Sequence, residues 1–315
     1  MITKLSTQTS RLLQQGYLCC LRNAYAVIKI SGVTALEYLQ GQITRDIQHM
    51  TENQGLYSAI LTPQGKIICD FHLISGHHQE CLILVNKDYA VPLVGRLRQY
   101  ALGHALRIGM VDSLKVISVQ GQRCDDFLQE NNLPVPAKPP LSTKKSTDIE
   151  SYAIRMPEAS EHGLWVISDD AEALIQTNSA QVDEAEIQTA RILKGTPTFG
   201  IDWNEKIFPL NANLIEFEGV SFEKGCYVGQ EVTSRMHWRG GIKKRFYRVQ
   251  LESAPQEIPC PISTTVKIGS ITSAAINADD KIFGIAHLPI ESVESGVQLI
   301  NAQNHPVQVL EACHV

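Results

Sequence analysis

The residues best equipped for chemistry lie in one stretch, Phe222-Glu223-Lys224-Gly225-Cys226-Tyr227-Val228-Gly229-Gln230-Glu231. It holds a thiol, a cation and carboxylates, with Gly225 and Gly229 on either side of Cys226. Glycines there allow a sharp bend or a close backbone approach. The next residues, Glu231 to Met236, read as a short helix. Val232 and Met236 share its inner face, and Glu231 and Arg235 are spaced to pair at i, i+4. Cys226 would then precede a helix N-terminus and stand two residues from Lys224, and both favour thiolate over thiol. The competing reading is a buried cysteine in a tight turn.

The elements that must position this stretch come from a chain of 315 residues, long enough for two or three domains. Its composition is 43% hydrophobic and 19% charged, ordinary for a globular protein. A net charge of -5 excludes a polyanion binder acting through the whole molecule. No apolar run has the length of a membrane span, and Met1 to Thr7 lacks a signal-peptide core, so a cytoplasmic protein is expected. None of the eight cysteines forms a Cys-x-x-Cys pair, which removes zinc-ribbon and thioredoxin readings. His77-His78 is read as a loop pair, with no metal site expected.

Val27 to Ile30 alternates as a strand ending at Gly32. Thr34 and Glu37 suggest a capping box for a helix closed by Gly41. Two apolar runs, Leu56 to Leu61 and Lys66 to Leu73, are joined by the turn Thr62-Pro63-Gln64-Gly65. Cys81 to Val85 reads as a strand, and Asp88 as the cap of a helix reaching Leu102. The pattern then recurs. Val27-Ile28-Lys29-Ile30-Ser31-Gly32 parallels Val116-Ile117-Ser118-Val119-Gln120-Gly121, and Leu82 to Asp88 parallels Leu164 to Asp170. Two similar α+β units would explain this, as would chance likeness of two strand–helix pairs. The Pro-rich stretch 132–147 reads as an exposed loop within the second unit. Asp183 to Leu193 reads as a helix stopped by Gly195, and Thr196 to Leu214 as a long irregular, aromatic segment. From Arg245 onward, runs at 245–251, 265–270, 271–276, 283–288, 298–301 and 307–310 read as strands of a small antiparallel barrel or sandwich.

Between Arg235 and Arg248 lie Arg239, Lys243, Lys244 and Arg245 with no acid, interleaved with His237, Trp238, Phe246 and Tyr247. This segment would meet a polyanion such as a poly-glutamate tail or RNA phosphates, or an acidic partner, or form a solvated basic face.

Lys-Gly-Cys-Tyr-Val-Gly-Gln-Glu at 224–231, with Arg235 and Arg239-Gly240, resembles the signature of the YgfZ-type folate-binding proteins, a family related to the aminomethyltransferases of glycine cleavage. Leu39-Gln40-Gly41-Gln42-Ile43-Thr44-Arg45-Asp46, the Gly65-Lys66 turn and Pro209 through Asn213-Leu214 resemble further segments of that family. The resemblance implies an α+β fold: two similar α+β subdomains and a C-terminal antiparallel β-barrel around a central folate-sized cavity. Units at 1–114, 115–182, 183–240 and 241–315 follow, the first sharing its sheet with parts of 190–240. It implies tetrahydrofolate or a derivative as cofactor, held by Tyr25, Gln42, Thr44, Asp46, Lys66, Asp70, Asn213, Tyr227, Gln230, Glu231 and Arg235. Cys226, assisted by Lys224, would be the residue on which activity depends. The implied partners are folate and iron–sulfur enzymes or cluster-assembly proteins, including a tRNA-thiomethylating radical enzyme.

Two departures bear on activity. Where aminomethyltransferases carry two adjacent aspartates, this chain has Cys69-Asp70. Where they carry Arg-x-Glu-x-Gly, it has Arg191-Ile192-Leu193-Lys194-Gly195, and Leu193 cannot accept a pterin N–H. Tyr25 and Ile187 stand where some YgfZ-type members have tryptophans; Tyr25 can stack on a ring, Ile187 offers only apolar contact. The alternatives are an aminomethyltransferase using Asp70, or an RNA or protein adaptor using 235–248.

Overall fold

The computed structural model describes residues 2–76, 80–147, 149–176 and 178–314; the His77-His78 pair lies outside them. The chain opens with β1 (Thr3–Lys4), α1 (Thr7–Gln15) and β2 (Leu18–Leu21). Then come β3 (Tyr25–Ser31), α2 (Ala35–Gln40), β4 (Leu56–Leu61), β5 (Ile67–Ser75), β6 (Glu80–Asn86), α3 (Lys87–Tyr100) and β7 (Arg107–Met110). A second series follows: β8 (Lys115–Gln120), α4 (Cys124–Glu130), β9 (Thr143–Lys145), β10 (Ser151–Arg155), β11 (Gly163–Ser168) and α5 (Ala171–Gln176). Helices α6 (Glu184–Lys194) and α7 (Gln230–Trp238) flank a strand-free stretch. The chain ends with β12 (Lys244–Leu251), β13 (Cys260–Ser263), β14 (Lys267–Ile276), β15 (Ile282–Pro289), α8 (Ile290–Glu294), β16 (Ile300–Asn301) and β17 (Val307–Ala312).

Two five-stranded antiparallel sheets have the orders β4-β5-β6-β3-β7 and β9-β10-β11-β8-β2. These match strand for strand, so the internal repeat is real. The glycines that end the paired strands, Gly32 and Gly121, have φ of 129° and 125°. A Cβ on Gly32 would lie 2.3 Å from Ala105 O, and one on Gly121 2.6 Å from Gly16 O, so both positions exclude a side chain. The lead strands are exchanged. β2 precedes β3 but pairs with β8, while β7 precedes β8 but pairs with β3. Each unit therefore lends a strand to the other.

The two sheets pack face to face through Val27, Ile74, Leu82 and Leu84 on one side and Val116, Ile154, Trp165 and Ile167 on the other. The far face of the first sheet carries α2 and α3. The stretch 195–229 adds no strand to that sheet, contrary to expectation. It adds core side chains, among them Phe199, Trp203, Leu210, Leu214 and Tyr227. The C-terminal strands form a curled, mainly antiparallel sheet, β16-β13-β14-β15-β12-β17, with β1 added in parallel to β14. The runs at 265–270 and 271–276, expected as two strands, are one strand with a register shift between Ile271 and Ser273. A bulge keeps such a strand continuous while bending it.

Local signals were uneven. Gly195 ends α6 at φ 89° as expected, and Asp183 caps it, accepting from Glu186 N at 2.9 Å. Thr34 makes no capping bond, so the expected capping box is absent. α3 is capped by Asn86, whose side chain accepts from Asp88 N, rather than by Asp88. Among the described residues, no helix is long and apolar enough to cross a membrane.

Candidate functional site

β5 alternates along its length: Cys69 and Phe71 point to the core, Asp70 and His72 away from it. On the face turned to the second sheet, Tyr57 of β4 donates its hydroxyl to Asp70 Oδ2 at 2.6 Å. Opposite stands Trp165 of β11, from the second sheet. Its ring centroid is 5.6 Å from His72 and 4.6 Å from Tyr25, the first residue of β3. These rings, with Arg22, Leu141, Glu158, Arg191 and Lys194 among others, enclose a cavity of about 120 Å³. At about 30 Å³ per water in the liquid, that space holds about four waters.

The charges in this cavity are held in place. Arg22 donates to Glu158 and, through Nε, to Glu184 at 3.0 Å. Its guanidinium lies 5.0 Å from the Tyr25 ring centre and 5.7 Å from that of Trp165. Trp165 Nε1 donates to the other Glu158 oxygen. Arg191 donates to Asp202 at 2.7 Å and to Thr196 O at 2.6 Å, and Lys194 to Pro157 O. Burial pushes the Asp70 carboxyl up to about 6, with the Tyr57 hydroxyl opposing the shift. Burial pushes the His72 imidazole down to about 3. At neutral pH the cavity therefore holds a carboxylate and an uncharged imidazole side by side.

Cys226 is not among the residues lining this cavity. It is the one exposed cysteine; the other seven are buried. Its loop is anchored from below. Lys224 turns inward and donates to the carbonyls of Gln40, Ile43 and Arg45 at 2.6, 2.8 and 2.9 Å. All three ammonium protons are thus committed, and Nζ lies 5.0 Å from the Tyr227 ring centre. The expected role of Lys224 as a cation beside the thiol is corrected: it fastens the loop to the 40–46 segment. Burial lowers its pKa to about 8, with Asp46 opposing. Gly229, at φ 84°, presses on the β4–β5 turn, where a Cβ would meet Thr62 O at 2.6 Å. Gly225 has open space around it, so only one of the two glycines is required by packing.

The recognised segments do converge, but mostly as framework. Of the residues expected to hold the cofactor, Tyr25 and Asp70 line the cavity, and the others do not. Thr44 is buried and donates to Gly219 O at 2.6 Å. Asn213 bridges to the C-terminal sheet, donating to Phe246 O and Cys313 O and accepting from Phe246 N. Asp46 caps a short turn, accepting from Gln48 N and Gln40 Nε2. Lys66 donates to Lys206 O at 2.7 Å and lies over the Phe208 ring. Tyr227 is buried under the loop, and Gln42 adjoins it where Val228 N donates to Gly41 O. Gln230 lies on α7 beside Glu231 and Arg235, which pair loosely at 3.8 Å, as their spacing predicted. Ile187 offers no apolar contact to a cavity ligand, because it is fully buried with Leu18 and Cys20. Sequence reasoning missed Arg22, Tyr57, His72, Glu158 and Trp165. The only visible signal was the period of β5, which places His72 beside Asp70.

The basic stretch is partly neutralised. Arg245 pairs with Glu216 at 2.8 Å, Arg248 with Glu311 at 3.2 Å, and Lys244 donates to Ile268 O.

No family model matches the chain. It is 27% identical over 244 residues to the tRNA-modifying protein YgfZ of Hamiltonella defensa, covering 74% of this chain and 70% of that protein. It is 25% identical over 267 residues to the tRNA-modifying protein YgfZ of Escherichia coli, covering 81% and 80%. It is 28% identical over 264 residues to the mitochondrial iron–sulfur cluster assembly factor IBA57 homolog of Aspergillus fumigatus, covering 75% of this chain and 58% of that protein. The crystal structure of the glycine cleavage system aminomethyltransferase T from Bartonella henselae superimposes with a TM-score of 0.84 at 16% identity, over 99% of this chain and 90% of that one. The chain is a homologue of the YgfZ and IBA57 proteins, built on the aminomethyltransferase fold.

Proposed function

We propose that the protein is an accessory factor in iron–sulfur cluster assembly or tRNA modification that binds a reduced folate in the Asp70 cavity and acts through Cys226. The observation that carries the reading is the enclosed carboxylate of Asp70 beneath the flat walls of Tyr25, Tyr57 and Trp165. A reduced pterin is planar, presents N–H donors on one edge, and would satisfy both features. Tyr25 and Trp165 would clasp its ring. Asp70 would accept from its N–H edge, with the Tyr57 hydroxyl fixing the carboxylate. The uncharged His72 would add no competing charge. At about 120 Å³ the cavity would take no more than the bicyclic head, so the tail of the ligand would leave by the mouth. When bound, a reduced folate supplies one-carbon or reducing chemistry; the residues here orient it and exclude water.

Cys226 stands outside, free to meet a partner macromolecule. A cluster ordinarily requires four thiolates, so Cys226 would contribute one ligand or one nucleophile to cargo shared with a partner. Calorimetric titration with tetrahydrofolate tests the cofactor reading. Binding that is lost in Asp70→Asn supports it, and absence of binding to the parent protein rejects it. Aminomethyl transfer is the second reading, favoured by the raised pKa of Asp70, which suits acid–base work near neutrality. Turnover of an aminomethylated carrier protein would support it. The second of the two adjacent acids is replaced here by Cys69, which points into the core.

A further inference from the structure

We propose that the C-terminal end of α7 is a binding surface for single-stranded nucleic acid, with Trp238 as the stacking platform. Trp238 is 73% exposed, the largest exposed aromatic surface among the described residues. It is propped from behind rather than loose. Phe222 and His237 stack with centroids 3.9 Å apart and planes 11° from parallel, and His237 meets the indole edge-on at 4.6 Å. This buttress leaves the indole surface open to a flat group.

Cations adjoin it in the chain. Arg239 and Lys243 are exposed, and neither side chain makes an ion pair or hydrogen bond with the described residues. Arg235 is held only by a 3.8 Å contact to Glu231. The acids on the same loop and helix are Glu223 and Glu231, both exposed. The turn that follows, Arg239-Gly240-Gly241, holds Gly240 at φ 68° and folds back on the helix, with Gly241 N donating to Met236 O at 2.8 Å two residues before Lys243. An indole flanked by free cations is the pairing that takes a base on its face and phosphates on its sides. An acidic peptide would use the cations and leave the indole idle. α7 spans nine residues, so at 1.5 Å per residue the strand would bind about 12 Å from the Cys226 end of the helix. The surface is independent of the folate reading, since none of its residues lines the Asp70 cavity.

The other two tryptophans, Trp165 and Trp203, are buried at 1% and 4% exposure, so solvent-accessible emission reports Trp238. The test is titration of the full chain with a twelve-nucleotide oligouridine, following this emission at several salt concentrations. Expected are quenching, and a fall in log K with log salt of slope about −1.4, corresponding to two phosphate contacts on single-stranded nucleic acid. Trp238→Ala, which removes the reporter and is therefore read by the anisotropy of an end-labelled oligouridine, should weaken binding about 5- to 150-fold. Lys243→Ala should cut the slope by about half. Both variants should keep the parent's tetrahydrofolate titration and melting temperature. Absence of quenching, binding insensitive to salt, or equal displacement by poly-glutamate would overturn the proposal.

Discussion

Asp70 and Cys226 stand in opposite surroundings. Asp70 is enclosed between two sheets, against aromatic walls, and its carboxyl titrates near 6 because water is excluded. Cys226 sits exposed on a loop, and everything rigid about that loop lies underneath it. The Asp70 region modifies a group by its environment; the Cys226 region presents a group to whatever approaches. A small flat ligand suits the first, a macromolecule the second.

The largest separation is expected from Cys226→Ser. An exposed, unbonded side chain contributes within about 0.5 kcal/mol to stability. The variant should melt with the parent yet lose at least tenfold of its support for a cluster-dependent tRNA-modifying enzyme in cell extract. Unchanged support would place the chemistry elsewhere.

Asp70→Asn should do the reverse, leaving thiol alkylation intact and weakening tetrahydrofolate about 10- to 100-fold, the value of a hydrogen bond to a charged group. Affinity of the parent should rise as pH passes through about 6, where Asp70 ionises, and the variant should show no such rise. The stability effect has a definite sign. The folded pKa of about 6 lies above the ordinary 3.8, so the folded chain holds the proton more tightly. That contribution is present in full below 3.8 and is lost as pH rises to about 6. Urea midpoints of the parent, measured relative to Asp70→Asn, should fall across this window and be flat above it.

Lys224→Met probes the framework below the loop. It strips the donors from three carbonyls, one buried and two partly buried, and should cost about 3 kcal/mol in urea unfolding. Cys226 of the folded variant should still alkylate within about twofold of the parent rate. A tenfold loss would restore Lys224 as an activator of the thiol.

The smallest contrast lies between the two glycines. Gly229→Ala should destabilise by about 2 kcal/mol or more, from its left-handed backbone and the contact with Thr62 O. Gly225→Ala should stay within about 0.5 kcal/mol. Equal costs would mean that the loop is anchored on both sides of the thiol.

Much of the fold was legible because hydrophobic period and glycine placement are local. β3 and β8, each ending in a glycine that no side chain can replace, exposed the repeat. The exchange of β2 and β7 was not legible, since pairing partners are chosen by sheet packing rather than by the strand itself. The same limit governs the site. Asp70 was visible from the resemblance of its hairpin to that of the aminomethyltransferases, and Cys226 from its motif. Glu158 and Trp165 carry no local mark and matter only because the second sheet brings them across to Arg22 and Tyr25. Lys224 misled because proximity in sequence says nothing about which way a long side chain turns.

The most direct test of two separate sites is a tetrahydrofolate titration of Cys226→Ser by calorimetry, beside the parent and Asp70→Asn. The account predicts a dissociation constant for Cys226→Ser within about twofold of the parent, with binding weakened only in Asp70→Asn. A tenfold or greater loss in Cys226→Ser, with Asp70→Asn unaffected, would contradict it and place the ligand at the cysteine loop.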